Sequence, residues 1–289
     1  MVDGITQKGH CSGDLADAHP SAQVLYDFGV RITASKDGSD MSHTLDQKLN
    51  YFALRSFRDT ADKDYVHARL AYRHGLIPQF YWSSLHCLEK YLKCILLLAR
   101  VEARDIGHTI PPLLKRLNDS RVLEIGSSNP TTKFFSQLEQ VGWARYLEVS
   151  WSVHDIDPAH LDSAVWEVRR YCQPLDCYPG CADLEVTKLE DVRGLEDRTA
   201  RNTNLAGGYL EKVLENRRHP ARPALVWNNF YYSTSNRKKV SIPAPFQAEN
   251  APLYFFPEIV DEVARYVKVS KDVRRAYREL AAERAEEAK

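Results

Sequence analysis

The sequence has no apolar run long enough to cross a membrane. The longest run, residues 94–99, is far shorter than the roughly 20 residues that a membrane-spanning helix needs. The N-terminus lacks a basic segment followed by an apolar one, so we expect no signal peptide. Only six cysteines occur among 289 residues, too few for a dense disulfide framework. We therefore expect reduced thiols and a cytoplasmic protein.

Neither sign of charge is in excess. The chain carries 39 basic and 39 acidic side chains, which gives a formal net charge of zero. A free-standing nucleic-acid binder is usually basic, so this balance argues against extensive binding of duplexes. It leaves room for a small local phosphate site.

Common catalytic and cofactor motifs are missing. The sequence contains no P-loop, no dinucleotide-binding fingerprint, no nucleophile elbow and no paired His-Glu metal motif. One metal-like cluster comprises Cys172, Cys177 and Cys181 with His154 and His160 upstream. Its cysteines have spacers of four and three residues and no assigned fourth ligand, which fits zinc poorly. We therefore expect neither a metal nor a cofactor.

Composition and hydrophobic period divide the chain into four parts. Residues 1–45 are rich in Gly, Ser, Asp and Ala without a lasting period, which predicts disorder. Residues 46–175 have a helical period and short connections, which predict an all-α antiparallel bundle of four to five helices. Residues 176–205 are polar and indicate a linker or long loop. Residues 206–289 are predicted to be a C-terminal extension that is mostly helical.

Glycine, proline and hydroxyl side chains mark the predicted helix ends. Residues 222–232 could form a helix begun by Pro223 or a strand, and we favour the helix. The predicted signals, in chain order, are a stop at Gly75, a start at Pro78, a cap at Thr109, a cap at Thr131 or Thr132, a start at Asp157 and Pro158, a start at Pro257 and a cap at Ser270.

The most apolar predicted helix, residues 80–100, has a charged opposite face. Several cationic donors on one helical face can hold a phosphate through charge-assisted hydrogen bonds. The alternative is a solvated face on which Glu89 pairs with Lys93 one turn later. The apolar face comprises Tyr81, Leu85, Leu88, Leu92, Ile95, Leu96 and Ala99, and the charged stripe comprises His86, Glu89, Lys90, Lys93 and Arg100.

A set of motif residues runs through the predicted bundle. The main motif is Glu-Lys-x-x-Lys at residues 89–93, followed by Gly107 and His108. The other residues of the set are Asp64, Tyr65 and Ala68 on the first helix, the turn at Gly75, Leu113 and Leu114 after His108, and Ala144, Arg145 and Tyr146 before the last helix. In these motifs, and in the distance from Glu-Lys-x-x-Lys to Gly107 and His108, residues of about 50–174 resemble the HEPN family.

The resemblance implies a helical bundle, often a homodimer, that binds a nucleotide or RNA. Some family members cut RNA without a metal, and many act with a nucleotidyltransferase partner in toxin–antitoxin or defence systems. The RNA-cutting members carry Arg, four to six residues and His on the last bundle helix. Residues 158–174 contain no His after their arginines. Arg104 and His108 have only three residues between them and lie elsewhere.

Three functions follow as hypotheses. In the first, the chain binds a nucleotide or an RNA phosphate. In the second, it is a metal-independent ribonuclease in which His108 is the general base and Arg104 holds the phosphate. In the third, it is a non-catalytic dimerisation or interaction protein. His108 could instead bond to a backbone group of its turn, and Arg145 could be an ordinary surface residue. The predicted phosphate-binding residues are His86, Lys90, Lys93, Arg100 and Arg145.

Overall fold

A computed structural model describes residues 44–141, 151–153, 157–179, 181, 186–195, 206–232, 246–248 and 251–287. The predicted disordered segment 1–45 lies almost wholly outside these residues. The elements in chain order are α1 (Leu45–Phe52), a π-helical segment (Ala53–Arg58), α2 (Asp59–Arg73), α3 (Ile77–Leu98), α4 (Ile110–Asp119), α5 (Asn129–Val141), β1 (Trp151–Val153), α6 (Pro158–Arg169), α7 (Leu189–Arg193), α8 (Tyr209–Glu215), α9 (Arg222–Val226), β2 (Phe246–Ala248), α10 (Pro252–Phe255), a 3₁₀ turn (Pro257–Ile259), α11 (Val260–Tyr266) and α12 (Lys271–Glu287).

The described part of the chain is predominantly helical, as the sequence predicts. The exception is a pair of short strands, β1 and β2, which are antiparallel with Trp151 opposite Ala248. Among the described helices, none combines the length and the apolar character that a membrane span requires.

The first helical stretch is continuous from α1 to α2 but changes its winding. Thr44 and Gln47 form a reciprocal capping box at the start of α1. The π-helical segment then separates α1 from α2, a feature that the apolar period did not predict. The stretch ends as predicted, because Gly75 has a φ of 72° and reverses the chain after α2.

Helix α3 runs antiparallel to α2 and forms the centre of the core. The ring of Tyr72 near the end of α2 lies 5.3 Å from that of Phe80 near the start of α3. Asp64 near the start of α2 pairs with Lys90 further along α3. Pro78 occupies the first turn of α3, as predicted. All seven residues of the predicted apolar face are buried.

The caps of the later helices differ from the prediction in two places. The side chain of Thr109 makes no capping hydrogen bond. Instead, Glu139 of α5 accepts from the backbone N–H of Ile110 at 2.9 Å. Helix α5 begins at Asn129, ahead of the predicted threonine caps. Asp157 caps α6 as predicted, and the side chain of Ser270 accepts from the backbone N–H of Val273 at 3.2 Å, in the first turn of α12.

Residues 206–232 pack into the same hydrophobic core as α2 to α6. Leu210, Val213 and Leu225 are fully buried there. This part of the predicted C-terminal extension is therefore a component of the central core. Residues 251–287 have a smaller core of their own, which comprises Leu253, Val260, Val273 and Tyr277.

A buried ionic cluster joins α2, α6 and α8. Arg169 donates to both oxygens of Asp62, at 2.7 and 2.9 Å, and to both oxygens of Glu211, at 2.7 and 2.6 Å. Asp62 also accepts from the hydroxyl of Tyr91 at 2.6 Å. The paired charges satisfy one another where water does not reach, so each depends on its partners.

A second buried cluster joins α2, α6, α9 and the residues that follow α9. Arg69 pairs with Asp162, which also accepts from the hydroxyl of Tyr65 at 2.7 Å. Asn229 donates to that same hydroxyl at 2.7 Å. Arg69 further donates to the backbone carbonyl of Ala224 at 3.0 Å. Both clusters tie residues 206–232 to α2 and α6, which pack against α3.

Candidate anion cavity and histidine–glutamate cluster

The most unusual residue of the charged stripe is Glu89, whose carboxylate is buried. Its side chain is only 4% exposed. It accepts from Lys93 Nζ at 2.7 Å and from His108 Nδ1 at 3.0 Å. Burial by itself would raise the pKa of Glu89, but the hydrogen bonds from Lys93 and His108 outweigh it and leave that pKa lowered. The predicted pairing of Glu89 with Lys93 is therefore confirmed, in a buried rather than a solvated setting.

His108 reaches this carboxylate from the loop before α4. Its side chain is 65% exposed, while Nδ1 points at Glu89. With Nδ1–H donating to a carboxylate, the neutral ring keeps Nε2 as an acceptor. The side chain of His108 thus bonds to Glu89 rather than to a backbone group of its own turn.

His86 completes a cluster around Glu89. Its Nδ1 lies 3.6 Å from a carboxylate oxygen of Glu89, and its ring centroid lies 5.7 Å from that of His108. Trp82 packs edge-on against the same ring, with 3.9 Å between centroids. Desolvation lowers the pKa of His86, which favours a neutral ring at pH 7. We call His86, Glu89 and His108 the histidine–glutamate cluster.

A cavity of about 510 Å³ lies at the C-terminal end of α3, beside this cluster. Its volume is within the range of small-molecule sites. Its lining combines apolar side chains with three cations and one carboxylate. The lining residues are Phe57, Lys93, Leu96, Leu97, Arg100, Val101, Glu102, Ala103, Arg104 and Ile106.

Arg100 has an unusual backbone conformation at the edge of the cavity. Its φ is 57°, in the left-handed region that favours glycine. The backbone N–H of Val101 bonds to the carbonyl of Leu96 at 2.8 Å, which ends α3 with a Schellman motif. The guanidinium donates to Asp46 at 2.9 Å and to Asn50 at 2.9 Å. These bonds to α1 hold the strained residue in place.

Arg104 is the least committed cation of the cavity. It is exposed and, within the described part of the chain, makes no side-chain hydrogen bond or ion pair. Lys93 lines the same cavity while bonding to Glu89. Arg104 and His108 therefore have an indirect connection. Arg104 shares the cavity lining with Lys93, and Lys93 and His108 both bond to Glu89.

The other predicted site residues lie apart from the cavity. Lys90 pairs with Asp64 of α2 and is not part of the cavity lining. Arg145 lies outside the described residues. The predicted phosphate-binding set thus separates into Lys93 and Arg100 at the cavity, His86 at the cluster and Lys90 at the α2–α3 contact.

The cysteines noted in the sequence take up separate packing positions. Cys172 donates to the backbone carbonyl of Tyr91 at 3.5 Å. Cys181 accepts from Asn50 at the same distance. No metal-compatible group in the described part of the chain includes either thiol.

Sequence reasoning missed the burial of Glu89 and the part that Phe57 plays in the cavity. A signal for Glu89 was present, since a carboxylate within the most apolar helix needs partners if its face is covered. Nothing in the local pattern around Phe57 marks it, because the π-helical segment determines which way that residue faces.

Comparisons of the chain with protein-family models, with curated proteins and with solved structures gave no match.

Proposed function

We propose that this chain is a HEPN-like bundle of four to five helices that binds a nucleotide or an RNA phosphate in the cavity at the end of α3. The observation that carries the proposal is the convergence of Lys93, Arg100 and Arg104 on one apolar cavity. The family resemblance of residues 50–174 supports the same class of ligand.

The composition of the cavity suits a ligand with one anionic and one apolar part. Arg104 and Lys93 can donate charge-assisted hydrogen bonds to phosphate oxygens. Leu96 is buried and Phe57 half-buried, so they offer apolar surface on which a base can pack. Arg100 is fixed by its bonds to α1 and supplies positive potential more readily than new hydrogen bonds.

The test is calorimetric titration of the full chain with nucleoside mono-, di- and triphosphates and with a short single-stranded RNA. Arg104→Ala removes one charge-assisted contact and should weaken binding about tenfold or more. Arg275→Ala is the matched control, since Arg275 is an exposed arginine of α12 whose ion pair within the described residues is with Asp272, far from the cavity lining. Lys90→Ala should also leave binding unchanged. Absence of saturable binding, or equal loss in Arg104→Ala and Arg275→Ala, would refute the proposal.

A second candidate function is metal-independent RNA cleavage, which the His108–Glu89 hydrogen bond favours. Nε2 of His108 would take the proton of a 2′-hydroxyl, whose oxygen then attacks the adjacent phosphorus and expels the 5′-oxygen, which takes a proton from water. Glu89 would hold the ring in the required tautomer and stabilise the imidazolium that forms. Arg104 would hold the phosphate from across the cavity.

This candidate is tested with a labelled RNA in the presence of a chelator. Cleavage should fall by a factor of roughly 100 or more in His108→Ala. Glu89→Gln should also slow cleavage while the variant keeps its fold. Cleavage that survives in His108→Ala at the wild-type rate would show that the residue has no catalytic part.

We also propose self-association in the cytoplasm. Leu45, Tyr51 and Phe52 of α1 are 73%, 67% and 53% exposed, and a second copy of the chain could cover this apolar surface. The cysteines at positions 87, 94, 172, 177 and 181 are free thiols, which suits a reducing compartment. Light scattering of Tyr51→Lys against wild type tests the association.

A nucleotidyltransferase encoded beside this chain, and recovered with it from the native host, would support a toxin–antitoxin or defence role.

A further inference from the structure

We propose that His86, Glu89 and His108 bind a divalent transition metal, zinc being the ion that best suits these donors. The site lies beside the cavity at the C-terminal end of α3, and the proposal does not depend on nucleotide binding in that cavity.

The three side chains offer a donor set that suits zinc. Two imidazoles and one carboxylate are a recognised three-ligand set for zinc, which leaves a fourth position for water or another oxygen. Among the described residues, this is the one group of His, Cys, Asp and Glu side chains whose donor atoms all lie within 4.8 Å of one another. The sequence predicted no metal site because these three residues form no local metal-binding motif: His108 lies 19 residues after Glu89.

The distances between the donor atoms are close to those of a tetrahedral zinc site. Tetrahedral zinc with bonds of about 2.0–2.1 Å requires its ligand atoms roughly 3.3 Å apart. The distances from Glu89 Oε2 are 3.0 Å to His108 Nδ1 and 3.6 Å to His86 Nδ1, on either side of that value. The donor atoms of the two histidines lie within 4.8 Å of each other, and rotation of the exposed His108 side chain can adjust that distance. Ligation through Nδ1 would place the ring proton of His108 on Nε2.

Helix α3 and the loop before α4 hold the three side chains in positions that suit a bound ion. His86 and Glu89 lie three residues apart on α3, so the best-buried helix fixes their relative position. His108 approaches from an exposed loop and can adjust to the ion. Glu89 brings a buried negative charge, and a bound cation would compensate that charge further.

Lys93 opposes the metal and provides a sharp test. Its ammonium lies 2.7 Å from Glu89 Oε1, which leaves Oε2 for the ion but places a positive charge close by. Lys93→Gln should therefore bind the metal several-fold more tightly than wild type. A merely adventitious surface association of zinc would not respond in this direction.

The experiment is a zinc titration of the chelator-treated full chain, with competition from a metal indicator and no nucleotide present. We expect one equivalent of zinc. His108→Ala should weaken binding by more than roughly 100-fold, because loss of a ligand exceeds loss of an outer-shell partner. His86→Ala should have a similar effect. His74→Ala is the matched control, since His74 is exposed at the end of α2 and belongs to no such group.

Cobalt substitution identifies the ligand atoms. A nitrogen- and oxygen-ligated cobalt gives visible d–d absorption without the near-ultraviolet charge-transfer bands of a thiolate. Thiolate bands, absence of saturable zinc binding, or binding unchanged in His108→Ala would each overturn the proposal. His108 is exposed, so His108→Ala should fold, and circular dichroism confirms that the variant is native. Because no nucleotide is used, absence of zinc binding would not count against nucleotide binding in the cavity at the end of α3. Equally, absence of nucleotide binding would not count against the metal site.

Discussion

Replacement of Arg169 by alanine should destabilise the protein more than any surface change. The guanidinium is 1% exposed and makes five hydrogen bonds, to Asp62, Glu211 and the backbone carbonyl of Gly207. In Arg169→Ala two carboxylates stay buried without their cation. Breaking a buried pair in this way costs about 3–5 kcal/mol of unfolding free energy.

The arrangement around Asp62 sets the expected value within that range. Asp62 keeps the hydroxyl of Tyr91 at 2.6 Å and the backbone N–H groups of Tyr209 and Leu210 at 3.1 Å each. These three donors favour the lower half of the range. For a domain of this size, each kcal/mol lowers the midpoint of thermal unfolding by about 2–4 °C, so a cost of about 3–4 kcal/mol should lower the midpoint by about 6–16 °C.

The assay is urea unfolding followed by tryptophan fluorescence, together with limited trypsin digestion. Arg169→Ala should also expose residues 206–232 to cleavage, because Glu211 loses its anchor. Arg217→Ala is the matched control, since Arg217 is exposed on the same C-terminal segment and should change stability by no more than about 0.5 kcal/mol. A loss below about 1 kcal/mol in Arg169→Ala, with unchanged digestion, would refute the buried cluster.

Three further predictions concern other parts of the chain. Gly208→Ala should cost about 1–3 kcal/mol in thermal unfolding, because the glycine has a φ of 106° and a Cβ there would lie 2.7 Å from a guanidinium nitrogen. Gly126→Ala, with nothing within 4 Å, should be nearly neutral. Hydrogen bonds from Arg278 and from a second arginine of α12 lower the pKa of Asp261 to about 2, which NMR titration can measure. Its stabilising contribution is complete above the ordinary pKa of 3.8 and is lost as the pH falls towards 2, and Arg278→Gln should raise the pKa. Asn229→Ala should cost about 2–4 kcal/mol in urea unfolding, since its oxygen accepts from two buried backbone N–H groups at 2.9 and 3.1 Å.

Each of these predictions has a contrary outcome. Equal stability of Gly208→Ala and Gly126→Ala would mean that the turn before α8 has room for a side chain. An ordinary carboxyl pKa at Asp261 would mean that α11 and α12 do not pack as described. A neutral Asn229→Ala would place those backbone N–H groups in contact with water.

Local sequence signals predicted the helices well. Pro78, Gly75 and Asp157 act through their own backbone geometry, so they mark boundaries without knowledge of the rest of the chain. The apolar face of α3 follows from a period of 3.6 residues in the same way. Thr109 failed as a cap because Glu139, far along the chain, reaches the start of α4 first.

The candidate site was predictable only in part. Lys93 and Arg100 were expected from their place on the charged stripe, and both line the cavity. Glu89 became central only because the loop carrying His108 folds over it, which no local pattern specifies. The same holds for the buried Arg169, which in sequence resembles any surface arginine at the end of a helix. Its partner Asp62 lies 107 residues earlier, and a pairing at that separation is a property of the tertiary fold.

The two buried ionic clusters have a consequence for the way the chain is made. Helices α2 and α3 leave the ribosome long before residues 206–232 do. Until then, Arg69 lacks its acceptor at Ala224 and Arg169 lacks Glu211. The packing of α2 and α6 is therefore complete only after a segment that is synthesised much later. A version of the chain truncated at residue 205 should accumulate as insoluble protein, although it retains α1 to α7.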